Sequence, residues 1–325
     1  MFVRRSRRPR RSTGYRRAAG IAAGFLADQV LGDPRRGHPV AGFGTGAARL
    51  EKLTYADNRG AGILHTGLLL GALGLLGTAS GDRFLSIALA TYIALGGTSL
   101  NRVGQQMSTR LGNDDLAGAR DLLPSLCGRD PSALDAEGLT RATVESLAEN
   151  TSDAQVAPLF WAAVGGVPGV LVYRGANTLD AMIGHRSPRY LHFGWAAARF
   201  DDILNYVPAR LTGVLAAVCA PAVGGVPQSA LRAWRRDARR HPSPNAGVAE
   251  AAFAGALGIR LGGPTQYAHQ LEIRPTLGDG RTPETADVAR AVRLSRAVQA
   301  GAAAVAVLLA LSGAYRSGRR SSPRR

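Results

Sequence analysis

Lysine is almost missing. Lys52 is the one lysine among 40 basic residues, and the others are arginine. It stands in "RLEKLTY", with no glycines before it, which excludes a P-loop. No Gly-x-Gly-x-x-Gly follows a strand-like run either. The two cysteines, Cys127 and Cys219, are far apart and have no histidine at ligand spacing. That excludes a zinc site and gives no basis for a disulfide, leaving two small buried hydrophobes. Sustained period-two alternation is absent, which points away from sheets. No internal repeat is visible. No cleavable signal is expected, because the Arg-rich start leads into "AAGIAAGFLADQV", which is interrupted by Asp28 and lacks a cleavage site.

What is present is arginine at both ends. The formal net charge is +17. Much of it lies in "MFVRRSRRPRRSTGYRR" and in "RSGRRSSPRR", read as disordered basic tails at 1–17 and 316–325 around a single domain over 18–315. The arginine bias suits a high-GC bacterial genome. Basic tails favour the cytoplasmic face of a membrane and its anionic lipid. Without aromatic platforms or a recognition-helix pattern, they argue against nucleic-acid binding.

Apolar runs set the class. Residues 61–79, 84–100, 207–227 and 297–315 each approach the ~20 residues that cross a bilayer. Glycines 67, 71 and 74 form a small-residue stripe suited to close helix packing. Residues 18–31 are short. Residues 156–174, "VAPLFWAAVGGVPGVLVYR", are broken by Gly-Gly-Val-Pro-Gly and could span, re-enter or line a cavity. The expected fold is mostly α-helical: a polytopic integral membrane protein with about 4–6 membrane-embedded helices and sizeable helical connecting loops.

The chemistry gathers beside these runs. On a helix, Glu145, Glu149, Ser152 and Asp153 share a face, with the Asn150 amide beside them. Converging carboxylates suit Mg²⁺, which takes one or two of them plus phosphate oxygens and water. A solvated acidic face is the plain alternative, but this one abuts an apolar segment. The stretch 173–210 interleaves apolar residues with Arg174, Asn177, Asp180, His185, Arg186, Arg189, Arg199, Asp201, Asp202, Asn205 and Arg210. Arginine grips phosphate and carboxylate through a bidentate fork. Asp201 and Asp202 are both within helical reach of Asn205, so spacing alone does not choose between them. The side through Asn205 and Pro208 toward the apolar run favours Asp201 as the inward residue, with Asp202 capping or pairing with a nearby arginine. "DQVLGDPRRGHPV" brings Asp28, Asp33 and His38, while the stretch 235–258 sets His241, Asn245 and Glu250 around a turn entering a helix.

Four stretches together carry a resemblance: "LADQVLGDPRRGHPV", "ESLAENTSDAQVAPLFW", "YRGANTLDAMIGHRSPRYLHFGWAAARFDDILNYVPARLT" and "RRDARRHPSPNAGVAEAAFAGALGIRLGG". The chain resembles the adenosylcobinamide-phosphate synthase family (CobD/CbiB) of cobalamin biosynthesis over residues 20–312. The resemblance implies a multi-pass cell-membrane ligase that uses ATP and Mg²⁺. It would join adenosylcobyric acid to (R)-1-aminopropan-2-ol O-phosphate or a related amino alcohol, in company with other cobalamin-pathway enzymes. On that basis Glu145, Glu149 and Asp153 would hold Mg²⁺–ATP. Arg174, Arg186 and Arg210 would bind phosphates, and Asp201 or Asp202 the amine. His241, Asn245 and Glu250 would orient the carboxylate or corrinoid. Asp28, Asp33, His38, Asn150, Asn177, Asp180, His185 and Asn205 would complete the substrate sites. A transporter and a non-catalytic sensory relative are the rivals. ATP requires all four stretches on one side, so either one of 156–174 and 207–227 is re-entrant or the site lies in a membrane-depth cavity between them.

Overall fold

The computed structural model describes residues 10–34, 37–132, 134–266 and 271–319. They form a mostly helical polytopic assembly, as the apolar runs predict. Five helical stretches are long and apolar enough to cross a membrane: Arg59–Ser80, Phe84–Gly112, Ala136–Gly184, Trp195–Val223 and Ala286–Gly313.

α1 (Arg10–Leu31) packs against α4 (Phe84–Ala94) and α12 (Ala286–Arg319). Residues 10–17, expected in a disordered tail, instead continue α1. Arg17 there pairs with Asp82 and donates to Ala163 O at 3.0 Å. Residues 316–319 likewise belong to α12, while 1–9 and 320–325 lie outside the described residues.

α2 (Pro39–Thr54) and α3 (Arg59–Ser80) start on side-chain caps, His38 for Val40 N–H and Asn58 for Ala61 N–H. Capping satisfies backbone donors that a helix start leaves open. Leu64, Leu68, Leu75 and Leu76 on α3 are exposed, as suits a helix bordering lipid. Gly67 and Gly71 also face open space, so of the expected packing stripe Gly74 makes the contact, a Cβ there standing 3.6 Å from Val172. Gly77 makes a closer one, where a Cβ would stand 2.5 Å from Pro168 Cα.

α5 (Gly97–Gly112), the short α6 (Leu116–Leu122) and α7 (Ala136–Thr151) follow; α7 is capped by Asp135 on Gly138 N–H. α7 runs through a π-helical turn, Ser152–Val156, into α8 (Ala157–Leu179), which ends in a second π-helical turn, Asp180–Gly184.

α8 is bent back on itself. Gly166 takes φ 62°, ψ −151°, a conformation open essentially only to glycine. The two arms then touch: a Cβ on Gly169 would stand 2.8 Å from Trp161 O, and the Tyr173 hydroxyl lies 2.7 Å from Asp153 O. Residues 157–179 therefore form a helical hairpin with both ends at one level. The Gly-Gly-Val-Pro-Gly break is the turn of a re-entrant pair, which lets 101–155 and 175–206 share one side.

α9 (Trp195–Cys219), α10 (Pro227–Asp237) and α11 (Ala246–Leu257) complete the helices before α12. One element carries no sustained period-two signature. β1 (Leu261–Gln266) and β2 (Leu271–Leu277) make an antiparallel hairpin with an irregularity between Leu261 and Gly263. Cys127 and Cys219 are free and half-buried rather than buried.

Candidate functional site

The fold-back of α8 and the two π-helical turns assemble the site. A cleft of about 340 Å³ is lined by Glu145, Glu149, Asn150 and Asp153 from α7 and its π-turn, and by Asn177 and Asp180 from the returning arm. π-turns of this kind recur at functional sites. Here the inserted turn ends the regular helix at Thr151, so the straight-helix phase that placed Asp153 beside Glu149 does not describe the backbone. Asp153 lies within electrostatic reach of Asp201, Glu149 and Asp180. Facing these carboxylates are Arg129 and Arg274, neither of which the sequence analysis singled out.

Glu145 is 2% exposed, and both its oxygens are engaged. One pairs with Arg129; the other accepts from Gly262 N–H at 2.6 Å. It lines the cleft and ties α7 to the β1–β2 hairpin. Glu149, by contrast, is exposed into the cleft.

Asp201 is 8% exposed. Its Oδ2 accepts from Asn205 Nδ2 at 2.9 Å, and its Oδ1 has no hydrogen-bond partner. Asn205 Oδ1 in turn lies 2.9 Å from the Tyr173 hydroxyl, and Arg174 Nη1 donates to Asn177 Oδ1 at 3.1 Å. Asp202 points the other way, 3.6 Å from Arg199.

It lines a second, open cleft of about 830 Å³ with His185, Arg186, Trp195, Arg199 and Arg274. Arg274 belongs to both clefts and joins them. Beside it Glu250 is 1% exposed, with His241 Nε2 at 3.6 Å and Arg274 Nη1 at 3.9 Å. Burial, with Glu145 and Glu149 nearby, pushes the Glu250 carboxyl well above the ordinary carboxylate range.

This arrangement sits in a chain whose residues 21–295 match the family described as CobD/Cbib protein. A relative from Mycobacterium tuberculosis, named "Cobalamin biosynthesis protein CobD", is 65% identical over 304 residues, covering 92% of this chain and 97% of its own length. Proteins of the same name from Chromobacterium violaceum and Rhodobacter capsulatus are 44% and 42% identical, covering 83% and 90% of this chain and 89% and 98% of their own lengths. The chain belongs to the CobD/Cbib family. No solved structure matches it.

Within this CobD/Cbib chain, other candidate residues fall outside the acidic cleft. Asp28 is buried where α1, α5 and α12 meet, its Oδ2 accepting from Thr98 and Gln299 at 3.1 Å each. Asp33 stands 3.9 Å from His38, whose Nδ1 caps α2. Gly96, which lies beside Asp33, donates to Ala154 O in the π-turn at 3.0 Å. Arg210 and Asn245 form a clasp on the outer side of α9: Arg210 Nη1 donates to Asn245 Oδ1 at 2.7 Å, and Asn245 Nδ2 donates to Asp202 O at 2.8 Å.

The donor set was weighed against Mg²⁺. Among the described residues, no three His, Cys, Asp or Glu side chains are grouped to hold a metal ion. Mg²⁺ bound through phosphates needs only one or two carboxylates. Glu149 and Asp153 are hard oxygen donors on one cleft with Asp180 close to both, and so fit. Glu145 is already engaged by Arg129 and Gly262, so Glu149 and Asp153 are the less encumbered donors of the three-residue set.

Proposed function

We propose that this membrane protein of cobalamin biosynthesis is an ATP-dependent amide ligase. It joins the free propionate of adenosylcobyric acid to (R)-1-aminopropan-2-ol O-phosphate or a related amino alcohol, giving adenosylcobinamide phosphate at the cell membrane. The observation that carries the proposal is the hairpin of α8, which brings Glu149, Asp153 and Asp180 opposite Arg129 and Arg274 in one cleft.

A carboxylate is a poor acyl donor, and ATP answers that. A propionate oxygen attacks the γ-phosphorus, the bond to the β-phosphate oxygen breaks, and ADP leaves. The amine then attacks the acyl-phosphate carbon through a tetrahedral oxyanion, and inorganic phosphate departs. Glu149 and Asp153 would hold Mg²⁺, which would supply charge neutralisation at the phosphates. Arg129 and Arg274 steady phosphate oxygens from the facing wall. Asp201, with one oxygen uncommitted, receives the ammonium and holds its proton. Arg274 reaches both clefts, so a large corrinoid in the open one would present its propionate toward the acidic one.

The test is direct. Purified protein supplied with ATP, Mg²⁺, adenosylcobyric acid and the amino-alcohol phosphate should form amide and ADP in equal amounts. Folded, monodisperse protein that makes no amide with any amino alcohol tried would sink the assignment.

A further inference from the structure

On α9 the exposed residues Ile203, Val207, Val214 and Val218 fall on one stripe at 100° per residue. Arg210 lies at the edge of that stripe, about 20° outside it. Its guanidinium sits 3.7 Å from the centroid of the Tyr206 ring. A cation on an otherwise apolar outer face must reach the lipid–water boundary or meet an anion there.

Beside it opens a cleft of about 620 Å³ whose lining includes Tyr206, Arg210, Trp234, Arg235, Arg239 and His241 and, among the described residues, no carboxylate. Arg235 and Arg239 are exposed i,i+4 neighbours, and among the described residues neither makes an ion pair. Their neighbours Arg236 and Arg240 both pair with Asp237. The segment thus neutralises one set of arginines and aims the other at the cleft. Aromatic rings beside arginines at the edge of an apolar face mark headgroup depth.

We propose that this cleft binds the phosphate of an anionic phospholipid, whose acyl chains lie along the α9 stripe. Guanidinium forks match phosphate oxygens. The apolar stripe beside them suits a phosphate attached to acyl chains rather than a free one. A zwitterionic headgroup brings the same phosphate with a cation that three arginines repel. The lipid would bear on the clasp between Arg210 and Asn245, and through Asn245 on the Asp202 backbone, without entering the amide chemistry.

Trp234 is a reporter inside the site. Protein reconstituted in phosphatidylcholine nanodiscs is titrated with phosphatidylglycerol brominated on its acyl chains, and quenching of Trp234 is taken as wild type minus Trp234→Phe. Half-quenching is expected at a mole fraction at least ~10-fold lower for brominated phosphatidylglycerol than for brominated phosphatidylcholine, in line with the gain per surface arginine. The paired substitution Arg235→Gln with Arg239→Gln is expected to close that gap. Equal quenching by both lipids in wild type would overturn the proposal, whether or not the variant folds. So would a gap that survives the double substitution. Relief of quenching by soluble glycerol 3-phosphate would assign the cleft to a free phosphate instead.

Discussion

Replacing Gly166 by alanine attacks the turn on which the whole site depends. With φ 62° and ψ −151°, a residue bearing a Cβ pays about 1–3 kcal/mol in backbone strain alone. The new methyl would also stand 2.7 Å from Asp82 Oδ2 and 2.8 Å from Arg17 Nη2. Asp82 must then give up its place, where it accepts from Val167 N–H at 3.2 Å and pairs with Arg17. Disrupting a part-buried carboxylate of this kind adds about 1–2 kcal/mol. The sum is about 2–5 kcal/mol, which for a chain of 325 residues means a midpoint lower by roughly 3–7 °C. Gly165 is the matched control. It is helical, and a Cβ there meets only Trp161 at 3.6 Å, so Gly165→Ala should be neutral or stabilise by up to about 1 kcal/mol. Thermal unfolding in detergent, followed by size-exclusion recovery, compares the two. Gly166→Ala as stable as Gly165→Ala would refute the hairpin and mean that α8 runs on as a straight rod.

Three further outcomes are expected. Glu149→Gln should insert and fold normally yet lose at least ~10²-fold in amide synthesis, as removal of a positioned charge does; near-normal turnover would return Glu149 to the role of a solvated surface residue. Asp201→Asn should cut turnover more than Asp202→Asn, because Asp201 is buried with an uncommitted oxygen while Asp202 pairs with Arg199; the reverse order, measured with saturating amino-alcohol phosphate, would exchange their roles. Glu250 keeps its proton to higher pH when folded than when unfolded. It therefore lowers stability as pH rises from about 4.5 through its raised folded value. Glu250→Gln removes that slope, so the variant should gain on wild type between pH 5 and pH 8 in thermal unfolding; parallel curves would show that Glu250 does not titrate in this way.

The helical membrane class was legible because composition and run length are direct records of bilayer physics. The acidic face at 145–153 and the basic–amide stretch at 173–205 were legible as residue types, and Glu149, Asn150, Asp153, Asn177 and Asp180 do meet. How they meet was not. Gly-Gly-Val-Pro-Gly announces a break, but only Gly166 in a glycine-only conformation, locked by Asp82 and Arg17, turns a break into a reversal. The π-turn at Ser152–Val156 changes the phase of Asp153 with no residue type that encodes it. Arg129 and Arg274 went unnoticed because one stands in a short loop, "CGRDP", and the other on the short strand β2, "EIRPT", and each reaches the cleft only through tertiary packing. Glu145 misled for the opposite reason. It sits at ideal spacing for a ligand, and its partner Gly262 is more than a hundred residues away.

The α8 hairpin also bears on how the protein is made. Asp153 and Asp180 are separated by fewer than thirty residues of chain, so their meeting is a contact of low sequence separation with a modest loop-closure cost. The floor of the cleft can form as soon as this one segment has left the ribosome and entered the bilayer. Asp201, Glu250 and Arg274 are added later, in order of synthesis, onto a floor already in place.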